Sequence, residues 1–272
     1  MKAEIVGNGE LSKTLATLVK AAGVDARGLQ LWCVPLADLR DTVRERLPGP
    51  GDRILLATRG LEPGTALRPS QVIMEESACL RVAALAGPVL PSEIARKSPC
   101  AAVVASPHAE LRALGALVLR SPLCRVYESA DLAGVELAGA LVDVFAVALG
   151  AARGLGLGAG AEALLVARAA VEGARLASKI GGDPRTFSGL AGVGDLVACA
   201  ASAEHPGHRR GLSLARGEAS PEVVSMCAPL LRHGGHLPIV SGVRAVAAGE
   251  VKGADMLAKL MSSAHAGEWD DA

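Results

Sequence analysis

The 272 residues are half hydrophobic and only 2% aromatic, with 28 Lys and Arg balanced by 28 Asp and Glu. A core of Leu, Val, Ala and Ile can fill one large domain or two ordinary ones. The zero net charge removes any broad electrostatic reason to bind nucleic acid or an anionic bilayer.

Lys2–Val6 reads as a short strand, Gly7-Asn8-Gly9 as a tight turn, and Glu10–Ala22 as a helix with Leu11, Leu15, Leu18 and Val19 on one stripe. A strand at Leu29–Val34, a helix at Ala37–Leu47 and a strand at Arg53–Ala57 follow. Apolar segments at Val72–Met74, Val82–Ala86, Ala101–Ala105 and Cys124–Val126 continue the series as strands, with helical stretches after Pro91 and Pro107. This alternation favours a largely parallel sheet covered by helices. Beyond about residue 128 the pattern turns helical. Leu132–Arg153 and Ala161–Ile180 are long helices, Pro221–His233 and Leu237–Ala247 shorter ones. The expected organisation is an α/β domain over 1–127 and an all-helical domain over 128–272. The Ala-rich tract Leu132–Leu157 is divided by Asp143 and Arg153, which favours a buried helix over a membrane span. Gly9, Glu10 and Lys13 interrupt the first strand too early for a signal peptide, so a cytoplasmic location is expected. The acidic tail Gly267–Ala272 is expected to fray.

Gly7-Asn8-Gly9, with Glu10 and Leu11 opening the helix, can present backbone N–H groups and a helix N-terminus to a phosphate. The third glycine position of GxGxxG holds Ser12. A dinucleotide site also needs an acid about 20 residues on, at the end of the second strand; here that strand ends in Cys33-Val34-Pro35. Arg59 follows the third strand at the edge where sheet crevices bind ligands. Asp143 lies inside the apolar run Leu141–Leu149 and must face a cleft, a partner or a domain boundary. Asp195 ends the glycine-rich run Gly189–Asp195, either as a helix N-cap or as an orienting carboxylate. Arg209 and Arg210 follow a flexible His205-Pro206-Gly207-His208 segment and could receive a phosphate. The six cysteines, at 33, 79, 100, 124, 199 and 227, form no CxxC pair or cluster with histidine, so packed reduced thiols and no metal are expected.

Longer blocks carry a resemblance. Cys33-Val34-Pro35, Ala57-Thr58-Arg59-Gly60-Leu61-Glu62, Ala86-Gly87-Pro88, Gly139-Ala140-Leu141 and above all Thr186–Leu196 resemble the bacterial-type NAD(P)-dependent glycerol-3-phosphate dehydrogenase family. The resemblance implies a Rossmann-like α/β half holding NAD or NADP and a helical half, with a small phosphorylated metabolite between them and a homodimer as the assembly. The implied reaction is hydride transfer between glycerol 3-phosphate and dihydroxyacetone phosphate. Gly7, Asn8, Gly9, Glu10, Leu11 and Pro35 would meet the cofactor, Arg59, Asp143 and Asp195 would act in catalysis, and Arg209 and Arg210 would hold substrate.

The same correspondence exposes departures. The family's lysine falls on Val142, its neighbouring asparagine on Asp143 and its second lysine on Arg59. Its substrate-phosphate Arg-Asn pair falls on Pro206-Gly207. The first helix runs almost directly into the Cys33-Val34-Pro35 strand, so part of the nucleotide-binding half is expected to be missing, leaving a sheet edge to be covered. Three readings follow: a shortened family member with impaired activity, a non-catalytic binding or interaction protein, or an NAD(P)-linked reductase of another substrate that redeploys Asp143 and Asp195.

Overall fold

The computed structural model describes residues 3–24, 28–202 and 204–262; the expected fraying of Gly267–Ala272 lies outside them. Six strands form one sheet in chain order: β1 (Glu4–Val6), β2 (Leu29–Trp32), β3 (Arg53–Leu56), β4 (Val82–Ala86), β5 (Cys100–Ala105) and β6 (Cys124–Ser129). Neighbours are parallel except β4 and β5, which are antiparallel. The helices between them are α1 (Glu10–Ala22), α2 (Leu36–Arg46), α3 (Pro69–Glu76), α4 (Pro91–Ala95) and α5 (Ala109–Leu119). The Val72–Met74 segment, expected as a strand, belongs to α3. Pro69 opens that helix, Gln71 Oε1 accepts the Arg68 N–H at 3.0 Å, and Val72 and Ile73 are buried while Met74 is exposed. A three-residue apolar run satisfies a helix stripe as readily as a buried strand.

The two faces of the sheet are covered differently. Leu15, Leu18 and Val19 of α1 share a core with Leu111 and Leu119 of α5 and with Leu31, Leu55 and Val104. Leu39 and Val43 of α2 pack with Val72 and Ile73 on the opposite face, against Val6, Trp32, Ile54 and Leu56. The connections β1-α1-β2 and β2-α2-β3 step the same way across the sheet with their helices on opposite faces, so they have opposite hands. One of them is the rare left-handed kind. The strand order explains it. A dinucleotide fold ordered 3-2-1-4-5-6 places two strands outside its first. Without them α1 keeps its face and joins directly to the strand on the other side of β1. Among the described residues the β1 edge is thereby left without an outer strand. It is only three residues long and Glu4 carries an ion pair to Arg46 at 2.7 Å, devices that discourage edge pairing.

The helical half comprises α6 (Leu132–Gly154), α7 (Ala159–Lys179), α8 (Pro184–Ser188), a π-helical turn (Leu190–Gly194), α9 (Asp195–Ala201), α10 (Pro206–Ala215), α11 (Pro221–Arg232), α12 (Pro238–Ala247) and α13 (Gly253–Ser262). By length and composition α6 could cross a membrane, but 78% of its most apolar window is buried inside the protein. It is a core helix. Its Val135, Leu141 and Val142 share a core with Ala84, Ala86, Val103 and Ala105 of the sheet, on the α2–α3 face. Glu136 completes the junction, accepting hydrogen bonds from the Ser70 N–H and hydroxyl at 2.7 and 2.6 Å and from Arg68 at 2.9 Å.

Glu172 of α7 plays a comparable part inside the helical half. Its buried carboxyl accepts the Ile239 and Val240 N–H groups at 2.9 and 3.0 Å, at the start of α12. Burial pushes it from the ordinary 4.5 up to about 7, against the pull of those two N–H groups. A raised pKa favours the protonated carboxyl in the folded chain. Its contribution is therefore full below about pH 4.5 and lost as the pH rises through about 7. Between those limits the wild type should lose about 3 kcal/mol more stability than Glu172→Gln, which does not titrate. Urea unfolding of both proteins across that range checks this, and parallel curves would refute it.

Candidate functional site

The C-terminal ends of β1 to β4 lie along one edge of the sheet, the edge at which open α/β sheets bind ligands. Four loops therefore meet there: residues 7–9, 33–35, 57–60 and 87–88. Gly7 has a φ of +113°, and a Cβ on it would lie 2.5 Å from the Cys33 carbonyl oxygen. Glycine is thus required where the turn crosses the end of β2. Gly7, Asn8, Gly9, Glu10 and Pro35 are exposed and Leu11 is half-buried, so this corner is open to solvent. Among the described residues no strand lies outside β1, and that is where a dinucleotide fold carries the acid for the adenosine ribose. The residues present suit a phosphate and do not suit a whole dinucleotide.

Arg59, Asp143 and Asp195 come together. Arg59 Nη1 donates to Asp195 Oδ2 at 2.7 Å, and Nη2 donates to the Gly139 carbonyl at 3.1 Å and pairs with Asp143 Oδ1 at 3.0 Å. The loop after β3 supplies the arginine, α6 supplies Gly139 and Asp143, and α9 supplies Asp195, so the cluster spans both halves. Burial works against the guanidinium charge, but the two carboxylates hold its pKa above the ordinary value. Burial raises the Asp143 carboxyl, opposed by Arg59 and Arg210. The N-cap of α9 is Gly194, and Asp195 is the first residue of the helix. Its second oxygen accepts the Cys199 thiol at 3.7 Å, one turn along α9. The N-cap alternative for Asp195 is therefore replaced by a paired carboxylate.

The segment at 205–208, expected to be flexible, opens α10 instead. Pro206 occupies the first helical position, where its missing N–H costs nothing, and His205 Nδ1 accepts the Gly207 N–H at 3.2 Å. Gly207 and Gly211 let α10 lie directly on α6: a Cβ at 211 would sit 2.2 Å from the Val147 carbonyl, and one at Gly150 would sit 2.2 Å from that of His208. This contact carries His205 to the cluster. Burial, followed by the nearby Arg59 charge, drives the imidazole down to about 4. It is therefore neutral at pH 7 and, with Nδ1 accepting, carries its proton on Nε2. The sequence signal for His205 is a polar residue before Pro-Gly at a helix start.

The structure separates the two predicted substrate arginines. Arg210 pairs with Glu222 and its charge is felt at Asp143, whereas Arg209 is exposed. Val142 is fully buried, 0% exposed, inside the core that joins α6 to the sheet. It adds no polar group to the cleft.

Two family models match the chain: the N-terminus of NAD-dependent glycerol-3-phosphate dehydrogenase over residues 8–112 and the C-terminus of the same family over 131–258. A glycerol-3-phosphate dehydrogenase [NAD(P)+] from Leptothrix cholodnii is 34% identical over 279 residues, covering 96% of this chain and 82% of the relative. One from Chlorobium luteolum is 38% identical over 197 residues, covering 71% of this chain and 59% of the relative. Among solved structures, a glycerol-3-phosphate dehydrogenase from Coxiella burnetii superposes with a TM-score of 0.86 at 24% identity, covering 96% of this chain and 98% of that one. At that identity it speaks for the fold alone.

Proposed function

We propose that this chain, which belongs to the NAD-dependent glycerol-3-phosphate dehydrogenase family, is a diverged member whose inherited reaction is impaired. The family uses NAD(P), and the inherited reaction is hydride transfer between glycerol 3-phosphate and dihydroxyacetone phosphate. The observation that carries this reading is the state of the cleft. Its cation, Arg59, is engaged by Asp143 and Asp195 at 3.0 and 2.7 Å, while the position matching the family's lysine, Val142, is closed into the core. A guanidinium balanced by two carboxylates offers little attraction to a phosphate dianion. No side chain at 142 can share a proton, a contribution worth roughly 10²–10⁴ in rate.

Mixing the protein with dihydroxyacetone phosphate and either NADH or NADPH should give no absorbance change. Calorimetry should show no dinucleotide binding tighter than about 100 μM. Turnover, or binding well below that limit, overturns the reading. One observation favours a second reading, a protein that binds a small phosphorylated metabolite without converting it: the Arg59 Nε–H is buried with no partner, a donor left over for a ligand oxygen. A reductase of another substrate would need a free carboxylate, and both are committed to Arg59. A cytoplasmic location and a homodimer go with the family reading.

A further inference from the structure

We propose that Cys100 and Cys124 form a reversible intramolecular disulfide, a modification site on the sheet separate from the cleft. The two are direct partners in the parallel register of β5 and β6, each the first residue of its strand. Partners in register on adjacent strands point to the same face. Here that is the α1–α5 face, where Cys124 belongs to the core and Cys100 packs against it. The strand spacing of about 4.8 Å falls inside the range of roughly 4.4–6.8 Å between Cα atoms that a disulfide accepts. The backbone holds the pair in place: the Cys100 N–H donates to the Leu123 carbonyl at 2.8 Å, and Ser121 and Cys124 exchange hydrogen bonds at 3.1 and 3.0 Å. No other registered strand pair among the described residues brings two cysteines together.

The two thiols differ in access, which decides which of them meets an oxidant first. Both are reduced, Cys124 is buried, and Cys100 is half-buried, following in the chain the exposed residues Ala95, Arg96, Lys97 and Pro99. The hydrogen bond between the thiols lowers Cys100, against burial and the Glu93 charge, and raises Cys124. With a small-molecule disulfide as oxidant, the Cys100 thiolate attacks one sulfur and expels a thiolate. Cys124, losing its proton to that thiolate or to solvent, then attacks the Cys100 sulfur of the mixed disulfide and expels the second. Two protein thiols are oxidised and one small disulfide is reduced to two thiols. The bond would staple β6, which pairs with β5 at the end of the sheet order and leads into α6.

The test uses the full folded chain and oxidised glutathione, followed by alkylation under denaturing conditions and peptide mapping. The expected result is loss of two of the six alkylatable thiols, a mass lower by two hydrogens, and one cross-linked pair of peptides carrying Cys100 and Cys124, reversed by dithiothreitol. Cys33→Ser should behave like the wild type. The proposal is overturned by an unreactive wild-type protein, by stable glutathione on Cys100 with Cys124 still free, or by a cross-link that includes Cys33.

Discussion

Replacing Arg59 with Met should destabilise the protein by about 3 kcal/mol at pH 7, in the lower part of the range for removing one partner of a buried ion pair. The methionine fills much of the space of the side-chain stem, so the loss measures charge more than volume. Asp195 is the group least able to compensate, since its side chain is only 2% accessible; Arg59 and Asp143, at 25% and 27%, keep some access to water, which sets the expectation at the lower end. Without the guanidinium Asp195 loses its ion-pair partner and Asp143 keeps only the Arg210 charge, so one of the two carboxylates should take up a proton. Asp143, already raised by burial, is the one expected to do so. The deficit relative to wild type should therefore shrink as the pH falls, and Arg59→Met with Asp143→Asn should cost less than the sum of the single changes. Arg59→Lys should recover only part of the loss, because one ammonium cannot span Asp195, Gly139 and Asp143 as the planar fork does. Urea unfolding at several pH values reads all of these. A deficit under about 1 kcal/mol at pH 7 would mean that the cluster is solvated like a surface pair.

The sequence made that cluster partly legible. Arg59 was placed by its position after a strand, and Asp143 by the oddity of a carboxylate in an apolar helix. Their meeting with Asp195 is implied by the family resemblance but not by local pattern, because it depends on how α9 follows the π-helical turn and on how closely α10 lies against α6. The second of these had a signal in Gly207 and Gly211, spaced by one helical turn: a Cβ at 207 would meet Asp143 and Ala146 of α6, and one at 211 would meet Val147, Gly150 and Ala151. Pro206-Gly207 read as a break because both residues disfavour helix interiors, whereas proline at a first helical position and glycine at a crowded crossing are both favourable. The strands were legible from apolar runs bounded by turns, apart from Val72–Met74, where the run was too short to separate the two periodicities. The reversed hand of one crossover had no local signature at all. It follows from which strands are present, a property of the whole sheet.

Placing lysine at position 142 should not restore hydride transfer, and should cost about 3 kcal/mol or more in stability. Successive residues on α6 point about 100° apart, and here the division is sharp: Asp143 reaches Arg59, while Val142 is sealed among apolar side chains from both halves of the protein. An ammonium introduced there must either remain buried without a partner or drag its stem out of a filled core, and each outcome is expensive. Were it to reach Asp143, it would compete with Arg59 for the same carboxylate, and it would leave Pro206-Gly207, where the resemblance places the family's Arg-Asn pair, unchanged. The open β1 edge would still lack the outer strand that carries the adenosine acid. Val142→Lys therefore separates two accounts of this chain. If its activity is impaired by several independent departures, repairing one gives a less stable protein with no change in nicotinamide absorbance. If the variant folds and turns over substrate, the shortened nucleotide half is sufficient for catalysis, and the single apolar residue at 142 accounts for the loss.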